Sequence, residues 1–156
     1  MELSAHSTGN PERTQRTAAQ TKTPDERKKV QTPSLNHLHH LVRWRTGRPV
    51  RWHIGGPKGA WKDGRVSIRH GMSDAQTKST IAHELSHVAH DDLCDGDDAV
   101  EDRANREASH LLIPPMAYAK AELAYGPDIH KIAEEIGVTT HLAMTWRDTF
   151  KRRDLP

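Results

Sequence analysis

The chain has 156 residues, 34% of them hydrophobic and 28% charged, with a formal net charge of +2. That length suits one domain with a tail, the near-neutral balance gives no ground for a polyanion-binding class from charge alone, and no apolar run approaches the roughly 18–20 residues that span a bilayer. The single cysteine, Cys94, excludes an intramolecular disulfide. A lone free thiol and an N-terminus without an apolar stretch fit a soluble, cytoplasmic protein.

Residues 1–33 are rich in Thr, Gln, Lys, Arg, Ser and Pro. Such a segment buries too little apolar surface to offset its ordering entropy, so it reads as a disordered tail. Ser34 then caps a helix running to about Arg45, with Leu35, Leu38, Leu41 and Val42 on its core face. His37, His39 and His40 lie on this helix, but their spacing gives no common focus for a metal.

Thr46-Gly47-Arg48-Pro49 ends that helix. Residues 50–54 and 65–70 alternate apolar and polar side chains, the period of half-buried strands. A short strand or loop over residues 59–63 lies between them, and Asp63-Gly64 is a hairpin turn signal. Two or three strands, expected as a short antiparallel sheet, therefore precede a second helix. The edge of such a sheet can hold an extended peptide by backbone hydrogen bonds.

Charge is segregated along the chain. From Ser34 to Met72 eight Lys and Arg accompany one acid, Asp63, whereas from Asp91 to Glu107 eight acids accompany two arginines. The basic block can meet an acidic partner or nucleic acid, and it is equally a solvated surface. The acidic run from Asp91 to Asp98 reads as a helix-capping loop. It lacks the spacing and closing Glu of a Ca²⁺ loop.

Ser73 and Gln76 form an S-x-x-Q capping box that opens the second helix. Ile81, Leu85 and Val88 make its apolar stripe, and His83-Glu84-Leu85-Ser86-His87 lies beside that stripe as H-E-x-x-H. Positions i and i+4 share a helix face, so both imidazoles can aim at one metal ion, and Glu84 is placed to act as a general base on water. A catalytic zinc needs a third protein ligand and one open position. The next helix, about Ala99 to Ile113, offers it. Glu101 and Asn105 stand at i and i+4, so Glu101 can bind the metal while Asn105 hydrogen-bonds a ligand histidine from outside. His90, Glu107 and the nearby aspartates are the alternatives.

Val100, Ala104, Ala108 and Leu111 are the expected apolar face of this third helix, and Pro114-Pro115 stops it. The remaining residues read as helical. Ile129, Ile132, Ala133 and Ile136 form one face, Gly137 ends that helix, and Thr139 or Thr140 caps a last one carrying Leu142, Met144, Trp146 and Phe150. This pair has helix-turn-helix-like packing. Arg147 is the only cationic residue between Thr140 and Thr149, so no basic recognition helix is evident and direct nucleic-acid binding is not expected. The organisation is thus a tail (1–33), a metal-site core (34–114) and a helical C-terminal segment (115–156) in an α+β protein.

His83 to His87, followed by Glu101, Ala104, Asn105, Ala108, Leu111, Leu112 and Pro114, resembles the ImmA/IrrE family of metallo-endopeptidases. Arg103 stands where that family commonly has an acid, and Glu107 where it commonly has an aromatic residue. The resemblance implies a small zincin-like domain holding Zn²⁺ on His83, His87 and Glu101, with Glu84 catalytic and Asn105 supporting. It also implies a cytoplasmic endopeptidase of phages or mobile elements whose partner is a helix-turn-helix repressor, cut to release transcription. The other reading is a partner-binding regulator of the same shape without proteolysis. A donor for the developing oxyanion is required, with Tyr118, Tyr125, His110 and His90 as candidates.

Overall fold

The computed structural model describes residues 32–92 and 96–153. Most of the segment read as a tail, and Cys94 with the centre of the acidic loop, lie outside the described residues. Six helices and three strands follow in the order α1 (Leu35–Thr46), β1 (Arg51–His53), β2 (Gly59–Lys62), β3 (Arg65–Arg69), α2 (Asp74–His90), α3 (Asp98–Leu112), α4 (Pro115–Tyr125), α5 (Ile129–Ile136) and α6 (Thr140–Arg153). The class is α+β, as composition and periodicity suggest.

The expected antiparallel sheet is corrected to a mixed one. Its strand order is β1-β3-β2, with β1 parallel and β2 antiparallel to β3. Only β2 and β3 form a hairpin, turning at Asp63 (φ 54°) and Gly64 (φ 68°). Two consecutive positive φ values match the twist of flanking strands. β1 does not pair with the strand that follows it. Residues 54–58 carry the chain across the end of β3, through Gly55 and Gly56 at φ 72° and 70°, to the far edge. That crossing spans two strand spacings, about 10 Å, within reach of five residues.

Alternation along β3 sends Val66 and Ile68, both fully buried, onto the helices. There they meet Ile81, Ala82 and Leu85 of α2 and Leu38 and Val42 of α1 in one apolar cluster. α2 is the central element, touching α1, β2, β3 and α3. Its start is fixed reciprocally: the Gln76 amide donates to Ser73 Oγ (3.2 Å), and the Ser73 amide donates to Gln76 Oε1 (3.0 Å). Its end is a left-handed residue, Asp91, whose amide returns to the His87 carbonyl.

α3 begins at an Asp97 cap and lays Ala104, Ala108 and Leu112 inward, all at 0% exposure. Leu111, expected on that face, is exposed instead, and Val100 is half-buried. The face runs in strict i, i+4 steps from Ala104, a row that reaches Leu112 and passes Leu111 by. Pro114 and Pro115 also do two jobs: they end α3, and Pro115 opens α4 as its first residue, where a missing N–H costs nothing. Ile132, Ala133, Ile136, Val138, Leu142, Ala143 and Trp146 join the same buried cluster, so α6 completes the core against α3 while α5 packs on α4 and α6. A buried hydroxyl pins their turn to α2, since Ser79 Oγ accepts from the Thr139 amide (3.2 Å).

Ser73→Ala removes half of the reciprocal cap at the start of the central helix. It is expected to cost about 1 kcal/mol in urea unfolding with an unchanged m-value; no loss would mean that tertiary packing alone fixes where α2 begins.

Candidate metal centre and cleft

One turn of α2 and the first turn of α3 bring three donors together. His83 Nε2 and His87 Nε2 are 3.0 Å apart. Glu101 presents Oε2 to His83 Nε2 at 3.2 Å and Oε1 to His87 Nε2 at 3.6 Å. Among the described residues these are the three whose donor atoms cluster within metal-binding range, all within 4.8 Å of one another. Two imidazole nitrogens facing each other at 3.0 Å repel unless a proton or a cation lies between them. Their separations also bracket the edge of about 3.3–3.4 Å expected when tetrahedral ligands stand about 2.0–2.1 Å from one ion. Two imidazoles and one carboxylate therefore fit a divalent metal.

Ala104 and Ala108 make this possible. With no side chain beyond Cβ, both are fully buried where α3 faces α2, and the two backbones approach closely enough for Glu101 to reach across. His90 and Glu107, the alternative ligands, do not join the group. His90 Nε2 bonds Glu107 Oε1 (2.9 Å), and Ser86 Oγ donates to Glu107 Oε2 (2.7 Å). This network explains how an acid occupies a position where an aromatic residue was expected. The two polar partners hold the Glu107 carboxyl below the usual range.

Each histidine has a polar neighbour on its outer side. Asn105 Oδ1 lies 3.1 Å from His83 Nδ1, accepting from its N–H and leaving Nε2 unprotonated toward the cluster. Burial, then the neighbouring His87, lowers the His83 pKa against the opposing pull of Glu101 and Asn105. The neutral ring is the ligating form. His87 has Asp92 beside it, with Oδ2 3.4 Å from Nδ1, an ion-pair distance without hydrogen-bond geometry. Asp92 is itself held by the Arg103 guanidinium. Nothing in the periodicity of α2 signals Asp92, because it follows the helix and is folded back over His87 by the left-handed Asp91.

Glu84 is 4% exposed, and its Oε2 is buried with no hydrogen-bond partner. Burial, and then the Glu101 charge, raise its pKa to about 8, against the Trp61 backbone N–H. The strand above it is fitted to this carboxyl. A Cβ on Gly59 would stand 2.5 Å from Glu84 Oε1 and 2.5 Å from Thr80 Cγ2, so only glycine lets β2 pass so close.

A cleft of about 400 Å³ opens onto these groups. Lys58 and Gly59 form its sheet side, His83, Glu84 and Asn105 its floor, and Thr139, His141 and Leu142 its far wall. None of the four candidate oxyanion donors lines it. Tyr118 is buried and stacked on Trp146 (4.3 Å), Tyr125 bonds Glu135 (3.0 Å), His90 bonds Glu107, and His110 lies by Phe150. His141, which sequence reasoning passed over, is the histidine on the far wall. Its place depends on the contact between Ser79 and Thr139, which no local pattern encodes. A cavity of about 450 Å³ elsewhere, with Lys78, Lys120, Tyr125 and Glu135 in its lining, shares no residue with the cleft.

No curated protein and no solved structure matches the chain significantly. The family model Peptidase_M78, the IrrE N-terminal-like domain, matches residues 44–144, which include the sheet, both histidines, Glu84, Glu101 and Asn105. With about two thirds of its length covered by that model, the chain belongs to the Peptidase_M78 family, a family of metallopeptidase type.

Proposed function

We propose that the protein is a zinc-dependent endopeptidase, and that its substrate, as the ImmA/IrrE resemblance implies, is a helix-turn-helix repressor of a phage or mobile element. The observation that carries the peptidase reading is Glu84: a buried carboxyl with one oxygen unpartnered, beside three converging metal donors and below an edge strand. A regulator that only binds a partner has no use for such a group, whose burial with an oxygen unpaired is costly.

The register supports a binding mode. Lys62 and Arg65 flank a two-residue turn, so Gly59 and Trp61 are non-hydrogen-bonded positions toward β3 and direct their backbone groups outward, where the Trp61 N–H meets Glu84 and the Gly59 groups face the cleft. An extended segment can add to that edge as a further strand. Its scissile bond then lies over His83, Glu84 and Glu101. Those ligands would hold Zn²⁺, which supplies a Lewis acid for the carbonyl and for water. Glu84 takes the proton from the attacking water and delivers it to the leaving amine. A bound cation offsets the charge of Glu101 and draws Glu84 toward its ionised form. Asn105 and Asp92 keep the two imidazoles aimed. His141, across the cleft, is the donor for charge developing on the carbonyl oxygen.

Three outcomes are expected. With zinc and a repressor from the same gene neighbourhood, the wild type gives two fragments, and Glu84→Gln gives none while retaining zinc. Cleavage by Glu84→Gln at the wild-type rate would refute the peptidase reading, whereas cleavage of some other protein alone would remove only the repressor.

Gly59→Ala forces Glu84 or Thr80 to move. Turnover should fall at least about tenfold, with about 1–3 kcal/mol of destabilisation; unaltered turnover would show that β2 does not shape the site.

In chelator, the raised Glu84 pKa makes the folded state bind a proton that the unfolded state has released. The associated stability is complete below about pH 4.5 and is lost as pH rises through about 8. The loss is on the order of 3–5 kcal/mol. Denaturant midpoints should decline over that window for the wild type and much less for Glu84→Gln. Parallel declines would show that another group titrates.

A further inference from the structure

The solvent face of the sheet carries charge that the catalytic reading does not use. Val66 and Ile68 point into the core. Alternation therefore places Arg65 and Arg69 on the opposite face of β3. The registers add Lys62 beside Arg65 and Arg51 beside Ser67 on that same face. Arg51, Lys62 and Arg65 are exposed and Arg69 is partly so. No Lys or Arg between residues 34 and 72 enters an ion pair in the described structure. The one polar contact in this group is Arg69 Nη1 donating to the Gly56 carbonyl (3.0 Å). The middle of the face is low, built from Ser67 and Ala60.

Around the β1 edge the surface changes character without changing sign. Trp52, 38% exposed, adjoins Arg51 in sequence and points to the other side of the strand. Its ring stacks on that of His70 (centroids 5.0 Å) and has His39 tilted toward it at 5.9 Å. A row of flat rings thus borders a row of unpaired cations. Cations alone suit any polyanion. The rings are what an acidic polypeptide does not need, and what unstacked bases do.

We propose that this surface, from Arg65 across Arg51 and around the β1 edge to Trp52, binds single-stranded nucleic acid. Phosphates lie along the cationic strands, and bases stack at the Trp52 edge. The surface is distinct from α6, whose shortage of cations argues against a helix in a duplex groove. It also lies apart from the His83–Glu101 cleft, so it stands whether or not the protein cuts peptides.

Fluorescence anisotropy of the whole protein tests this with labelled dT20, U20, a 20-base-pair duplex and a 20-residue polyglutamate as probes. About four phosphate contacts give a single-strand salt slope near −3, so raising salt from 50 to 200 mM should weaken dT20 or U20 binding roughly fifty-fold. The dT20 and U20 arms separate DNA from RNA, and both should outcompete duplex and polyglutamate. Arg51→Glu with Arg65→Glu should weaken binding at least about tenfold. Trp52→Ala should weaken it several-fold at unchanged salt slope, the mark of lost stacking. Glu84→Gln should bind like wild type, and circular dichroism confirms that each variant is folded. Polyglutamate binding as tightly as dT20, a preference for duplex, or single-strand binding indifferent to both the charge reversal and Trp52→Ala would overturn the proposal.

Discussion

Three donor side chains within 3.0–3.6 Å of one another are an unstable arrangement by themselves, and the fold is arranged around holding them. Lone pairs and a carboxylate at that distance repel when dry and separate when wet. Here they are fixed from three sides. The capping box sets where α2 starts, and so where its histidine face points. Ala104 and Ala108 let α3 approach until Glu101 reaches both rings. Asn105 bonds the far side of His83, and the Asp92–Arg103 pair lies against the far side of His87. A site held this way discharges its repulsion when a cation enters, which links metal binding to stability.

The sheet and the last helices supply the rest of the chemistry by shape. β2 lies so close to Glu84 that residue 59 has no room for a side chain. The result is a carboxyl that is buried and unpaired on one oxygen, with a raised pKa. Such a group is costly in a scaffold and useful in an acid–base catalyst. α5 and α6 act at a distance. Their turn is anchored through Ser79, and the anchor brings Thr139 and His141 over the cleft.

What the sequence made legible is what depends on neighbours within one or two turns. The H-E-x-x-H spacing, the Ser73–Gln76 box, the Asp63-Gly64 turn and the pairing of Glu101 with Asn105 all lie within five residues, and all have the expected geometry. What stayed hidden depends on chain crossings. The five residues that cross β3 turned an expected antiparallel sheet into a mixed one. Asp92 reaches His87 only because Asp91 adopts a left-handed conformation. Glu107 stands where an aromatic residue is common, and only the approach of Ser86 and His90 from α2 shows what holds it. Leu111 and Leu112 are adjacent, and only the crossing of α3 on α2 decides which is buried. The cationic face needed the register as well: as a string, the basic block gave no sign that four of its members share one side.

His83, His87 and Glu101 are expected to bind one ion with a position left open. Titration of the metal-free protein with Co²⁺, followed by visible absorption, tests this most directly. We expect one equivalent to bind, with the intense d–d bands of four- or five-coordinate cobalt, and Glu101→Ala to lose that spectrum. Weak octahedral bands, a stoichiometry other than one, or an unchanged spectrum in Glu101→Ala would contradict it.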